Sequence, residues 1–314
     1  LLFQVPALAG VGLVPRPRWA PRHEGVRRIM LLMVPALFGV SVSQINLLLD
    51  TVLASLLPTG SVSWLYYSDR LTELPLGVFA IAIATVILPT LSGQRARADD
   101  PAFSSTLAWA IRCVLLIAIP ATVALAILAE PLLATLFQYG AFSEGDRTMA
   151  AASLRAYTLG LGAFMLVKVL APGFYAREDM RTPVRIGIIA MVANMLLNAA
   201  FVFPLMWWLN LGHVGLALAT SVSAWLNAML LYRGLRRGAV LPADSLPLKW
   251  LLQILLATAA MIGALAWMLP ENAVWADWLW WQRAYQLGIL CVSGLGVFLV
   301  TLWLLGFRPA DLRR

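Results

Sequence analysis

Three ionisable residues, Asp69, Arg70 and Glu73, stand inside a segment that is otherwise apolar from Ser61 to Leu91. On a helix they are one, three and four residues apart, so all can interact on one face. One chemistry open to such a group is anion holding, because a guanidinium offers forked donors to phosphate or carboxylate. The other reading is a self-neutralising cluster between helices. The trio sums to −1, so Arg70 alone is a poor anion site and needs further cations from elsewhere. At a rise of about 1.5 Å per residue, Arg70 lies on the order of 14 Å below the segment's start, near mid-bilayer. A charge facing lipid there costs at least about 2.5 kcal/mol, so the group must face protein or a water-filled cavity.

Helical geometry puts Ser63, Tyr66, Asp69, Arg70, Glu73, Gly77, Ala80 and Ala84 in one sector about 120° wide. That face is polar in its outer half and small in its inner half. Trp64, Leu71, Val78, Phe79 and Val86 fall opposite and are lipid-compatible. Pro75 cannot donate to the Leu71 carbonyl, which weakens the helix beside the charges. With Gly77 it forms a candidate hinge or gate, or else a static kink.

Other polar residues inside apolar segments are candidates for the same route. Gln44, Asn46 and Asp50 precede the charged segment; Asp50 either faces the cavity or reaches toward the interface. Lys168 lies about seven residues from an inner helix end and either snorkels or faces the cavity. Arg112 and Arg155 read as snorkelling, and Asn194 and Asn198 as hydrogen bonds between helices. His23 and His213 read as loop residues at membrane edges. No phosphate-binding Gly-Lys-Ser loop, zinc-protease His pair or nucleophile elbow is present, so neither an enzyme, a metal nor a cofactor is expected. Cys113 and Cys291 both fall in apolar segments and read as small buried residues.

The elements that must position these residues are membrane helices. The chain is 61% hydrophobic and only 12% charged, where a soluble protein carries about twice that charge. Its net charge of +8 sits mostly at helix ends, which points to membrane orientation and not to nucleic acid. Eight complete spans are expected, at about 29–57, 61–91, 105–128, 148–175, 184–209, 214–232, 250–269 and 284–306. A basic loop at 15–28, an outer loop at 129–147 and a Trp-rich outer loop at 275–281 separate some of them. Of the 23 Lys and Arg residues, 17 fall on one side, in the clusters at 16–28, 95–97, 177–185, 233–249 and 308–314. Only Arg147 and Arg283 fall on the other. The basic side, including the C-terminus, is therefore expected in the cytoplasm. Leu1 opens the chain within an apolar run, which reads as the C-terminal portion of a longer protein.

Five stretches carry a specific resemblance: Gly39-Val-Ser-Val-Ser-Gln-Ile-Asn46, Gly60-Ser-Val-Ser-Trp-Leu-Tyr-Tyr-Ser-Asp-Arg-Leu71, Ala84-Thr-Val-Ile-Leu-Pro-Thr-Leu-Ser92, Leu136-Phe-Gln-Tyr-Gly140 and Val167-Lys-Val-Leu-Ala-Pro-Gly-Phe-Tyr175. By these the chain resembles the MurJ (MviN) family of lipid II flippases, within the wider superfamily of polysaccharide-lipid and multidrug exporters. The resemblance implies an all-α polytopic protein running from the end of helix 6 to helix 14 of a two-lobed exporter. Residues 1–28 would end a helix and form a cytoplasmic loop, 29–237 the six-helix C-terminal lobe, and 238–314 the final pair with a groove for a lipid tail.

Function is implied in the same way. Lipid II, a polyprenyl-diphosphate glycolipid, would be flipped from the inner to the outer leaflet of the bacterial inner membrane. Arg70 would contact the diphosphate, with Asp69 and Glu73 holding it or coupling to lobe movement. Ser63 would sit at the outer gate and Lys168 within a matched motif. An absent N-terminal lobe would supply further arginines, and membrane potential or a coupling ion would drive transport. The alternatives are export of another polyprenyl-linked saccharide, or cation-coupled drug antiport in the same superfamily.

Overall fold

The computed structural model describes residues 9–10, 23–238, 240–241, 247–270 and 274–308. The expected helix end and basic loop before residue 23 lie almost wholly outside them, as do Arg313 and Arg314. Lipid offers no hydrogen bonds to a backbone, so each long apolar run must satisfy its own amides, and a helix does so. Among the described residues from Glu24 on, ten helices follow in order: α1 (Glu24–Ser55), α2 (Ser61–Ala96), α3 (Asp100–Ile127), α4 (Ala129–Leu136), α5 (Glu144–Tyr175), α6 (Arg181–Leu209), α7 (Gly212–Arg237), α8 (Leu248–Met268), α9 (Val274–Asp277) and α10 (Trp280–Leu304). Seven of them, α2, α3, α5, α6, α7, α8 and α10, are long and apolar enough to cross a membrane. The expected span at 29–57 is the 32-residue α1, many of whose side chains, Pro35 included, fall outside the description.

Helix ends follow local chemistry. Asp99 accepts from the Ala102 amide at 3.0 Å and starts α3. Ser143 and Asp146 cap one another's backbone in a capping box that starts α5. Asn210 closes α6 at φ 55°. Two expected boundaries move. The outer loop at 129–147 contains α4 and the first turn of α5, and α7 continues through the basic residues to Arg237.

The body is organised around α5, which buries residues along its whole length. It packs on α7, α3 and α2, while α6 covers α7 and α1 leans on α6. The α5–α7 seam is close because its residues are small. A Cβ on Gly160 would stand 2.8 Å from the Ser221 Cα. There the Ser221 hydroxyl donates to the Ala156 carbonyl at 2.8 Å, and the Trp225 indole donates to the Leu159 carbonyl at 2.8 Å. Small residues with hydroxyl bonds are how helices adhere where burial from water supplies no drive. The last two long helices, α8 and α10, pack on each other and, through Ile254, Met261 and Leu290, on α3 and α4.

Candidate functional site

In its outer half α2 turns Ser61, Leu65, Ser68, Leu71, Thr72 and Pro75 into the body. Ser68 anchors that side by donating to the Ala150 carbonyl of α5 at 2.7 Å, a donor shared with its own Trp64 carbonyl. Trp64 also points inward: its indole donates to Asp146 at 2.7 Å, and its ring lies 4.8 Å from that of His213. The lipid-facing assignment of Trp64 and Leu71 is therefore wrong. Small hydroxyl residues beside them, Ser68 and Thr72, mark the packing side. Val78, Phe79 and Val86 are exposed, as expected.

With that side committed, the opposite side stays open. Ser63, Tyr66, Arg70, Glu73 and Gly77 are exposed and Asp69 half-exposed. Arg70 Nη1 meets Glu73 Oε2 at 2.6 Å and Nη2 lies 3.8 Å from Asp69 Oδ2. The guanidinium rests 5.1 Å from the Tyr66 ring centre, in cation–π range. About half of the Arg70 side chain, 49%, remains exposed. The group is thus oriented by carboxylates on its own helix and keeps an open edge, which a phosphate or carboxylate can approach.

Below Pro75 the helix differs from expectation. Residues Leu76–Ala80 form a π-helical turn. It follows Pro75, whose nitrogen cannot donate, and the wider turn accommodates that missing bond. A π turn holds one residue more than the α-helix would. Packing positions that would continue as 79, 86 and 90 are instead Ala80, Ile87 and Leu91, all at most 1% exposed. Ala80, placed by regular geometry on the open face, is therefore in the core, and Ala84 is half-buried. The exposed residues below the turn include Ile81, Ala82 and Thr85.

A second polar cluster joins α1 to α6. Asp50 accepts from Asn198 Nδ2 at 2.7 Å and from Asn46 Nδ2 at 3.2 Å. Asn198 donates to Asn194 at 3.1 Å, and Asn194 reaches the Thr220 and Ser223 hydroxyls of α7 at 3.4 Å. The other placement of the Asn194 amide atoms brings its nitrogen to Asn46 at 3.1 Å and Asp50 at 3.3 Å. Asp50 thus reaches inward between helices and not toward the interface, and the two asparagines bond between helices as read. The cluster is rich in oxygen and could hold a proton or a small cation. Among the described residues no three His, Cys, Asp or Glu side chains are close enough to hold a metal.

The remaining candidates are scattered. Gln44 is exposed on α1, and Lys168 is exposed on the inner half of α5. Arg155 pairs with Glu130 at 3.0 Å, whereas Arg112 is buried at 5% exposure and does not snorkel. His213 is likewise buried, its Nε2 lying 3.3 Å from the Met149 carbonyl; it is no loop residue, because α7 begins at Gly212 and turns it under Trp64. Among functional candidates, sequence reading missed Arg283, at 7% exposure. A lone cation in an aromatic outer loop reads as interfacial, and only its carbonyl partners distinguish it.

Fold and site together define a multi-pass helical membrane protein that carries an open, charged face on one helix. The family described as "Lipid II flippase MurJ" matches residues 1–280, and the chain belongs to the MurJ family. It is 51% identical over 312 residues to the probable lipid II flippase MurJ of Vibrio cholerae, covering 99% of this chain and 58% of that protein. It is 50% identical over 317 residues to the Haemophilus influenzae protein of the same description, covering 99% and 61%. The chain therefore spans about three fifths of the length of these curated relatives. Among solved structures it resembles a lipid II flippase MurJ in an inward closed conformation, with TM-score 0.70 and 25% identity, covering 94% of this chain and 57% of that one. A MATE protein in the straight conformation shares the fold alone, at TM-score 0.55 and 16% identity over 87% of this chain and 63% of that one.

Proposed function

We propose that this chain forms the C-terminal lobe, residues 29–237, and the final helix pair, within 238–314, of a lipid II flippase. The flippase works by alternating access and is a transporter, not an enzyme. The polyprenyl tail can stay in lipid, so only the diphosphate and saccharide head needs a hydrated path. Moving a diphosphate through hydrocarbon costs far more than passing it along a face that carries a guanidinium. The observation that supports this reading is Arg70, held at 2.6 Å by Glu73 and still half-open within an apolar, membrane-length helix. Asp69 and Glu73 orient it, Ser63 and Tyr66 line the approach, and Pro75 precedes the π turn that contains Gly77, the candidate hinge. Lys168 offers a cation lower on α5, Gln44 is exposed on α1, and Asn46 belongs to the Asp50 cluster. An N-terminal lobe, for which the greater length of the relatives leaves room, would supply the remaining cations.

The protein sits in the bacterial inner membrane with its C-terminus in the cytoplasm, as the basic helix ends favour. Outward movement of negative charge runs down an inside-negative potential, worth about 2.3 kcal/mol per charge per 100 mV. If an ion couples instead, the Asp50 cluster is where it fits. The test is flipping of lipid II by the full-length protein in proteoliposomes. Arg70→Lys keeps the charge but not the fork, and should retain partial activity. Arg70→Gln should have none. Equal activity in both variants and the parent rejects the reading.

A further inference from the structure

The outer turn at 137–142 touches two parts of the molecule far apart in sequence. On one side Phe137 and Phe142 pack on Tyr67 of α2, with ring centres 4.6 and 5.3 Å away. Tyr67 is one helical turn from Arg70 and stands edge-on, at 5.7 Å, to Tyr66, on which Arg70 rests. On the other side lies Arg283, in the first turn of α10. Its Nη1 donates to the Ala134 carbonyl at 3.0 Å and reaches the Gln138 carbonyl at 3.4 Å. Its Nε donates to the Trp278 carbonyl at 3.0 Å, and its guanidinium lies 6.0 Å from the Tyr139 ring. The Gln138 side chain in turn accepts from Arg147 Nη1 at 3.2 Å, and Arg147 is only 2% exposed. The turn is therefore gripped by two buried guanidiniums and bears on the charged helix.

The apolar side chains between the final pair and the body, Ile254, Met261 and Leu290 among them, make contacts that fix no direction. Charge-assisted bonds to carbonyls do fix one. A buried guanidinium is also a costly way to glue two helices when apolar side chains would serve. We propose that Arg283 is a positioning residue that couples the final helix pair to the Arg70 face of α2 through the outer turn. A displacement of α10, such as entry of a polyprenyl chain beside it, would move the end of α4 and with it the aromatic stack on Tyr67. This inference rests on the flippase reading.

The test uses full-length protein without its native cysteines and with Val62→Cys at the exposed outer end of α2. Two quantities are read per folded molecule: the flipping rate of a polyprenyl-diphosphate saccharide, and the labelling rate of Cys at 62 by a membrane-impermeant thiol reagent. Arg283→Gln should lower flipping roughly tenfold and shift the substrate-induced change in labelling by a comparable factor, with Arg283→Lys partly restoring both. Tyr67→Leu should produce the same two effects and add little to Arg283→Gln, since both cut one path. The inference is overturned if Arg283→Gln changes only the amount of folded protein, or if the Arg283 and Tyr67 effects multiply. Should Arg283→Gln not fold, Tyr67→Leu with Arg283→Lys carries the same comparison. Failure of the parent reading looks different: the parent protein would not flip, or Arg70→Gln would flip normally, whatever Arg283 does to labelling.

Discussion

The outer half of α2 and the seam between α5 and α7 are built from similar materials, small and polar residues on apolar helices, and differ in what closes them. Along the seam every hydroxyl and indole named above finds a carbonyl on the facing helix, and glycine brings the backbones together. On the open side of α2, Asp69, Arg70 and Glu73 pair on their own helix. A bilayer punishes unsatisfied polar groups, so leaving such a face open has a use for which the seam has none. The contrast separates a seam closed by interhelical bonds from a face left open, to which we assign the substrate.

That contrast can be broken by substitutions that should act on one quantity and spare the other. The largest effect is expected for Arg70→Ala: flipping falls on the order of a hundredfold, the scale of losing a charge-assisted contact to phosphate of about 1.5–3 kcal/mol. Its melting temperature in lipid nanodiscs stays near that of the parent, because the side chain is half-exposed. A large loss of melting temperature would make the trio a structural cluster instead. Next comes Gly160→Val, which drives a branched side chain into the Ser221 backbone. It should cost about 3 kcal/mol of stability, measured by denaturant titration, with flipping per folded molecule unchanged. A tolerated valine would mean that the seam opens. Smaller still is Ser221→Ala, worth about 0.6–1 kcal/mol for one interhelical hydroxyl bond. Glu73→Gln removes a half-exposed ion pair and should change stability by under about 1 kcal/mol. It should also alter flipping less than Arg70→Ala does. A larger effect than Arg70→Ala would make Glu73, and not the guanidinium, the principal group.

Much of this was legible in the residues. Long apolar runs locate membrane helices because the backbone has few options in lipid, and Asp69, Arg70 and Glu73 stand out because charge there is costly. Asn194 and Asn198 could be read as interhelical bonds, though not that Asp50 is their partner. What escaped depends on neighbours. Whether Trp64 faces lipid or protein is decided by Asp146 and His213, both more than 80 residues away in sequence. The eight residues of α4 fell within an expected loop because a run that short carries too little periodicity to separate helix from turn. Pro75 announced a defect, but its form, and the one-position rotation of everything below it, follow from how the lower half of α2 seats against α3 and α5.

The π turn has an evolutionary consequence. A helix with one surplus residue per turn is what a single-codon insertion leaves behind when both flanking halves keep their old footing. Deleting one residue among 76–80 in place of substituting it should therefore be unusually mild here, since Ser68 above and Ile87 below would each find their neighbours again. Anywhere else along α2 the same deletion would swing half the helix by about 100° and tear it from its seat.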